Sequence, residues 1–156
     1  MSETVFSRLQ QLLVDRDIPH DVLRHEPVFT SEQAAEIRGT SLASGAKALV
    51  CKADGEMMMF VLPADRKLDS RSVRRTKKIK SLRFASAEDV LEVTGLRPGS
   101  IPPFGSLFAL RTLCDERLAD QPTINFNAGD HAISICMTYA DYQSLEQPEL
   151  GRFAAE

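Results

Sequence analysis

The chain has 156 residues, 43% hydrophobic and 26% charged, and a formal net charge of −3. That length supports one sizeable core rather than two, so residues 1–156 read as a single globular domain. The longest apolar runs, such as Met57–Leu62, fall far short of the about 20 residues a membrane helix needs, and Met1-Ser2-Glu3-Thr4 lacks a basic region leading into an apolar stretch, so a cytoplasmic protein is expected.

Val5, Leu9, Leu12 and Leu13 recur at helical spacing, which predicts an amphipathic first helix ending near Asp17-Ile18-Pro19. Asp21–Arg24 reads as a short strand. Thr30-Ser31-Glu32-Gln33 matches a capping box opening a helix to about Arg38, with Gly39 as its stop. Apolar runs over 46–52 and 56–62, separated by Ala53-Asp54-Gly55, predict a hairpin closed by Pro63. Asp69 or Ser70 can cap a short basic helix, Leu82-Arg83-Phe84 is strand-like, and Ser86-Ala87-Glu88-Asp89 opens a helix stopped by Gly95. Residues 95–105 are rich enough in glycine and proline to form an ordered loop. Strands follow around Leu107–Leu110, Ile124–Phe126 and Ala132–Met137, then a helix opened by Thr138-Tyr139-Ala140-Asp141. This mixture of hairpins and helices argues an α+β domain with a largely antiparallel or mixed sheet.

Lys47 lies within Gly45-Ala46-Lys47-Ala48-Leu49-Val50-Cys51, otherwise a buried-strand sequence. A lysine is seldom fully buried unless paired, so its ammonium either snorkels to water or faces a site. A second charge feature is the run Arg71, Arg74, Arg75, Lys77, Lys78, Lys80 and Arg83, which no acidic residue interrupts. It is the footprint expected for docking a phosphate backbone, with a solvated helix face as the alternative. No aromatic is interleaved among these cations, which argues against a stacking platform there.

Familiar catalytic patterns are absent. Ser44 and Lys47 have Ser-x-x-Lys spacing, but that motif belongs at a helix start and the residues after Lys47 are strand-like. No Gly-x-Ser-x-Gly elbow accompanies His20, His25 or His131, and these histidines are not paired at metal-ligand spacing. Cys51, Cys114 and Cys136 are odd in number with no Cys-x-x-Cys pair, so they read as buried thiols rather than a disulfide framework or zinc knuckle.

Four motifs nevertheless stand in a familiar order: Glu36-Ile37-Arg38-Gly39-Thr40, Gly45–Val50, the Gly-x-x-Pro-Pro loop Gly99–Pro103 followed by Phe104-Gly105, and Phe126-Asn127-Ala128-Gly129. On them the chain resembles the YbaK/ProX family of aminoacyl-tRNA editing domains, free-standing or inserted in bacterial prolyl-tRNA synthetases. Within that family it is most similar to the free-standing, YeaK-like mischarged aminoacyl-tRNA deacylases, and the resemblance covers nearly the whole chain. It implies a curved mixed β-sheet, partly barrel-like, flanked by helices. The implied activity is hydrolysis of the ester joining a wrong, small amino acid to the terminal adenosine of tRNA.

The same resemblance implies that Lys47 is the catalytic residue. Gly99, Ser100, Ile101, Pro102 and Pro103 would then form one wall of the substrate pocket, and Asn127, Ala128 and Gly129 the other. No metal or cofactor is implied, since a hydroxyl of the terminal ribose assists the attacking water. Whether Lys47 anchors the terminal phosphate or the aminoacyl carbonyl region stays open. Arg71, Arg74, Arg75, Lys77, Lys78 and Lys80 become candidates for holding the acceptor stem. The implied partners are mischarged tRNA and an aminoacyl-tRNA synthetase. Ala48 stands where the alanine-selective branch carries asparagine, so serine, threonine or another small residue is the expected substrate. A catalytically silent tRNA-binding or synthetase-associated module is the alternative, and retention of Lys47 with the glycine-containing motifs favours the enzyme.

Overall fold

The computed structural model describes residues 4–156, and its first helix begins at a capping threonine. Thr4 accepts from the backbone N–H of Ser7, α1 runs over Val5–Asp15, and Leu9 and Leu13 on one face are fully buried. The expected strand Asp21–Arg24 forms (β1), and α2 spans Ser31–Arg38. Thr30 Oγ1 accepts from Gln33 N at 3.1 Å, and Gly39 ends the helix in the left-handed conformation that suits glycine. The box is not reciprocal, because the Gln33 side chain accepts from Phe29 N, one residue before the cap.

The hairpin consists of β2 (Ala46–Ala53) and β3 (Glu56–Pro63), joined by Asp54 and Gly55. Both turn residues have positive φ, 48° and 87°, as a type I′ connection requires. After it come α3 (Ser70–Lys77), β4 (Leu82–Phe84) and α4 (Ala87–Thr94). The Asp54 carboxylate accepts from the backbone N–H groups of Lys80 and Ser81, which ties the hairpin turn to the start of β4. The remaining elements are β5 (Arg111–Asp115), β6 (Thr123–Asn127), β7 (Ile133–Thr138), α5 (Tyr139–Glu146) and β8 (Glu149–Gly151).

Two sheets result. One is a five-stranded mixed sheet in the order β4-β2-β3-β5-β8, and the other is three-stranded and antiparallel in the order β1-β7-β6. A single bridge between Gly45 and Asn125 links the start of β2 to β6. The α+β class and mixed sheet agree with expectation, and the sheets are open rather than closed into a barrel. The two-residue alternation of β2 and β3 separates two cores. Ala46, Val50, Met59 and Val61 face the larger one with α1, while Cys51, Met58, Phe60 and Leu62 face a smaller one with Val73 of α3 and Phe153.

The sequence misplaces one strand. Leu107–Leu110 lies in a 3-10 turn, Gly105–Phe108, and its exit rather than in a strand, because Ala109 adopts φ 57° and Leu110 N returns to Gly105 O. Its apolar residues pack on the larger core from this turn, and β5 starts only at Arg111. Strand β8 is an addition that its three residues do not announce.

One buried carboxylate adds to the backbone bonds with Lys67 and Asp69 in holding the C-terminal residues. Asp115 accepts from the backbone N–H groups of Phe153, Ala154 and Arg117 and from the Arg117 guanidinium. Burial pushes its pKa up, but hydrogen bonds from Arg117 and the Ala154 and Phe153 amides outweigh it and hold the value at about 2. A lowered carboxylate pKa contributes stability that is present above the unfolded value of about 3.9 and disappears as pH falls through the folded one. The urea midpoint is therefore expected to fall between about pH 4 and pH 2, and Asp115→Ala, which strands the Arg117 charge, should cost about 3–5 kcal/mol and flatten that acid slope. An unchanged midpoint in the variant would show that the C-terminal segment is held by something else.

Candidate active site

Strand β4 pairs with β2 only over Cys51–Ala53, so the other half of β2 has no β4 partner on that side. A cleft of about 180 Å³ occupies this gap, with Lys47, Ala48 and Leu49 in its floor. Val50 O accepts from Ala85 N, on the β4 side of the strand. By the two-residue alternation of strand backbones, the N–H and C=O of Ala48 point the same way, into the cleft. The open edge thus presents one free peptide donor beside one ammonium.

Helix α2 forms a second wall. Ser31, Ala34, Ala35 and Arg38 line the cleft at a spacing that keeps them on one helical face. Arg38, at the last turn, is the residue that sequence reading missed. Its Nε donates to Ser134 Oγ at 2.8 Å and its Nη2 to Asn127 Oδ1 at 2.9 Å, which leaves other guanidinium hydrogens for a ligand. Asn127 then donates through Nδ2 to Gly99 O at 2.7 Å, so one amide couples the arginine to the glycine-proline loop. His25 Nδ1 donates to Glu26 O at 2.7 Å, and its Nε2 shares a second hydrogen bond, also of 2.7 Å, with Ser134 Oγ. A continuous chain of hydrogen bonds thus links Arg38 through Ser134 to His25.

The electrostatics are one-sided. Burial lowers the Lys47 pKa from the ordinary lysine value, opposed by the more distant carboxylates of Asp65 and Glu32 and reinforced by Lys67. Burial also lowers Arg38, to about 10, so it stays charged at neutral pH. No carboxylate lines the cleft, and neither cation takes part in an ion pair among the described residues. Two partly desolvated cations facing one concavity favour an anionic or strongly polarised ligand.

The expected pocket residues divide. Lys47, Gly99, Ile101 and Asn127 line the cleft. Gly99 has φ 93° and an added methyl group there would meet His131 at 3.4 Å, so glycine lets the loop turn back into the pocket wall. Ser100, Pro102 and Pro103 are buried behind that wall: the Ser100 hydroxyl donates to Arg97 O, and Pro103 O accepts from the Tyr142 hydroxyl at 2.7 Å. Ala128 is in the larger core, and Gly129, at φ 85°, lies so close to α1 that an added methyl group would meet Val5 and Phe6 at 3.1 Å. These five shape the wall from outside the cleft.

Ser44 does not approach Lys47 as a nucleophile. Its hydroxyl donates to Ser41 O and accepts from Asn125 Nδ2. His20 and His131 engage the carbonyls of Ile18 and Pro98. The basic stretch lies away from the cleft lining. Lys77 pairs with Glu149, which also holds Arg111, and sits over the Phe153 ring, so it is a structural cation. Arg71, Arg74, Arg75, Lys78 and Lys80 are exposed and in no ion pair among the described residues.

A family model described as an aminoacyl-tRNA editing domain matches residues 25–145, which contain every cleft residue. The chain belongs to the aminoacyl-tRNA editing domain family. This editing domain is 39% identical over 153 residues to the multifunctional Ser/Thr-tRNA deacylase ProXp-y of Escherichia coli K12, covering 94% of this chain and 90% of that one. It is 34% identical over 82 residues to the proline–tRNA ligase of Bacillus licheniformis, a match covering 52% of this chain and 14% of the ligase. Among solved structures, a protein described as a candidate trans-editing enzyme for prolyl-tRNA synthetase shares the fold at a TM-score of 0.84 and 23% identity, each chain covered in full.

The loop of this editing domain depends on the Asn127 amide. Asn127→Ala should speed backbone hydrogen exchange around Gly99–Ile101 by about five-fold, as removal of one hydrogen bond of about 1 kcal/mol permits, with little change in global melting. Exchange at the wild-type rate would show the loop is fixed without it.

Proposed function

We infer that this editing domain is a trans-editing deacylase: it hydrolyses the ester between a mischarged, small amino acid and the terminal ribose of tRNA. The observation that carries this reading is the pair Lys47 and Arg38, cationic and without a carboxylate partner, at the open edge of β2. The deacylase relative, similar over nearly the whole length of both chains, supports the same reaction class. The whole chain is read as one editing unit that acts on free mischarged tRNA in the cytoplasm.

An aminoacyl ester is already activated, so orientation and charge stabilisation suffice to accelerate its hydrolysis. Water adds to the ester carbonyl, the electron pair moves onto oxygen, and the tetrahedral oxyanion collapses to expel the ribose hydroxyl. The Lys47 ammonium and the Ala48 N–H face the position where that oxyanion develops, and the Arg38 fork holds the adjoining phosphate or carbonyl oxygen. The cleft lining contains no carboxylate, imidazole or thiol. That composition favours a substrate hydroxyl as a relay, which accepts the proton of the attacking water while passing its own to the departing ribose oxygen. Five alanines, Ala34, Ala35, Ala46, Ala48 and Ala64, leave room for a small side chain, while Leu49, Ile101 and Phe126 limit its size. Such a second sieve is required because a hydrophobic synthetic site rejects a near-isostere by only about 1–3 kcal/mol. A synthetase that generates the error is the natural partner.

Hydrolysis of a panel of mischarged tRNAs tests the reading. The wild-type protein should cleave seryl or threonyl esters far above the spontaneous rate, and Lys47→Ala should lose about 10²–10³-fold in kcat, the range for one oxyanion donor. If no ester is cleaved faster than in buffer, or Lys47→Ala keeps full activity, the reading fails. Because burial lowers the Lys47 pKa, the charged form is lost as pH rises, earlier than for an ordinary lysine. After subtraction of spontaneous hydrolysis, kcat/KM should therefore fall on an alkaline limb below about pH 10.4, and Lys47→Arg should move that limb upward.

A further inference from the structure

The concavity continues beyond the ester site. Ala48, Leu49, Gly99 and Ile101 are shared with a second, apolar slot of about 290 Å³ to which Phe84 and Pro98 also contribute. Phe84 is 63% exposed although it stands on a paired strand, opposite Cys51. The next residue is fixed as well, since Ala85 N donates to Val50 O at 2.9 Å. The ring is therefore presented to solvent by a rigid backbone. Phe29, the exposed ring on the ester cleft, stacks against His131 at 4.9 Å, whereas Phe84 has no aromatic partner among the described residues.

The slot itself is uncharged. Its lining contains no ionisable side chain; Arg97, which precedes Pro98, is exposed and in no ion pair among the described residues, whereas Arg83 lines a separate concavity with Leu68, Ser70 and Leu82. A flat, exposed aromatic face beside an apolar slot makes a unit that receives an unpaired base, with Arg97 an exposed cation adjoining its lining in sequence. A base-paired stem offers no free base face to such a slot.

We propose that the slot binds a nucleobase of the unpaired 3′ end of tRNA, stacked on Phe84, and that this contact sets how the terminal ribose enters the Lys47 cleft. The proposal rests on reading that cleft as the ester site, because continuity of the two concavities is what brings the neighbouring base to Phe84. Phe84 is a positioning residue in this scheme and touches none of the reacting atoms.

The test uses uncharged RNA hairpins with a four-nucleotide unpaired 3′ end carrying 2-aminopurine at the terminal or the penultimate position. Wild-type protein is expected to change the fluorescence at one of the two positions, which identifies the bound base. Phe84→Leu should abolish that change and weaken Kd about ten-fold, equivalent to about 1.4 kcal/mol, while Phe84→Tyr should retain both. Leu150→Ser, an exposed apolar residue on β8 outside the groove, should behave as wild type. Response at neither position, or an unchanged signal and Kd in Phe84→Leu, overturns the proposal. The hairpins carry no ester, so loss of this signal in an active deacylase refutes the slot alone, and a Phe84-dependent signal in an inactive protein refutes the hydrolase reading alone.

Discussion

The short pairing of β4 with β2 is the constraint from which the site follows. Three residues of β4 cover Cys51–Ala53, and upstream of them the sheet has an unpaired edge inside the molecule rather than at its rim. Unpaired strand edges are avoided or blunted in most proteins because they bind other strands. Here α2 and the Gly99 loop stand across the gap, too far to pair with it and near enough to enclose it. The peptide group of Ala48, the Lys47 ammonium and the Arg38 fork are therefore placed by sheet topology, and the hydrogen bonds through Asn127 and Ser134 fix the arginine and loop relative to one another.

Two treatments of buried charge within one chain show what sets the cleft apart. Asp115 and Arg117 are taken out of water together, with every carboxylate oxygen bonded, and their role is to anchor the C-terminal residues. Lys47 and Arg38 are partly desolvated without an anion, an arrangement that costs stability in the free protein. A ligand that supplies the missing negative charge recovers that cost on binding. Cations left uncompensated in a cleft are thus a stronger indication of a site than the cations of α3, of which three are exposed and the fourth, Lys77, is already engaged by Glu149.

Much of this was legible from local sequence. The caps at Thr30, Asp69, Ser86 and Thr138, the Asp54-Gly55 turn and the strand Leu82–Phe84 depend on neighbours in the chain, and they form where the sequence places them. Lys47 was conspicuous because a charge interrupts an apolar strand. Arg38 was not, since an arginine in the last turn of a helix already complements the helix dipole and needs no further reason. Its partners Asn127 and Ser134 lie 89 and 96 residues away, a pairing that no local pattern encodes. The burial of Pro102, Pro103 and Ala128 behind the pocket wall, and the 3-10 turn that replaces a strand at Gly105–Phe108, likewise follow from which core an apolar segment meets. Hydrophobicity alone does not distinguish lining a pocket from supporting it.

The central claim is that the Lys47 ammonium is desolvated in the free protein and compensated by the substrate's developing or resident negative charge. Its pKa can be followed by NMR through the side-chain Cε and Nζ signals, in the free protein and with a non-hydrolysable amide analogue of 3′-seryl-adenosine 5′-phosphate bound. The account predicts a value below the ordinary lysine value of about 10.4 in the free protein and a clear rise when the analogue binds. A pKa that is unchanged or falls further on binding would contradict it.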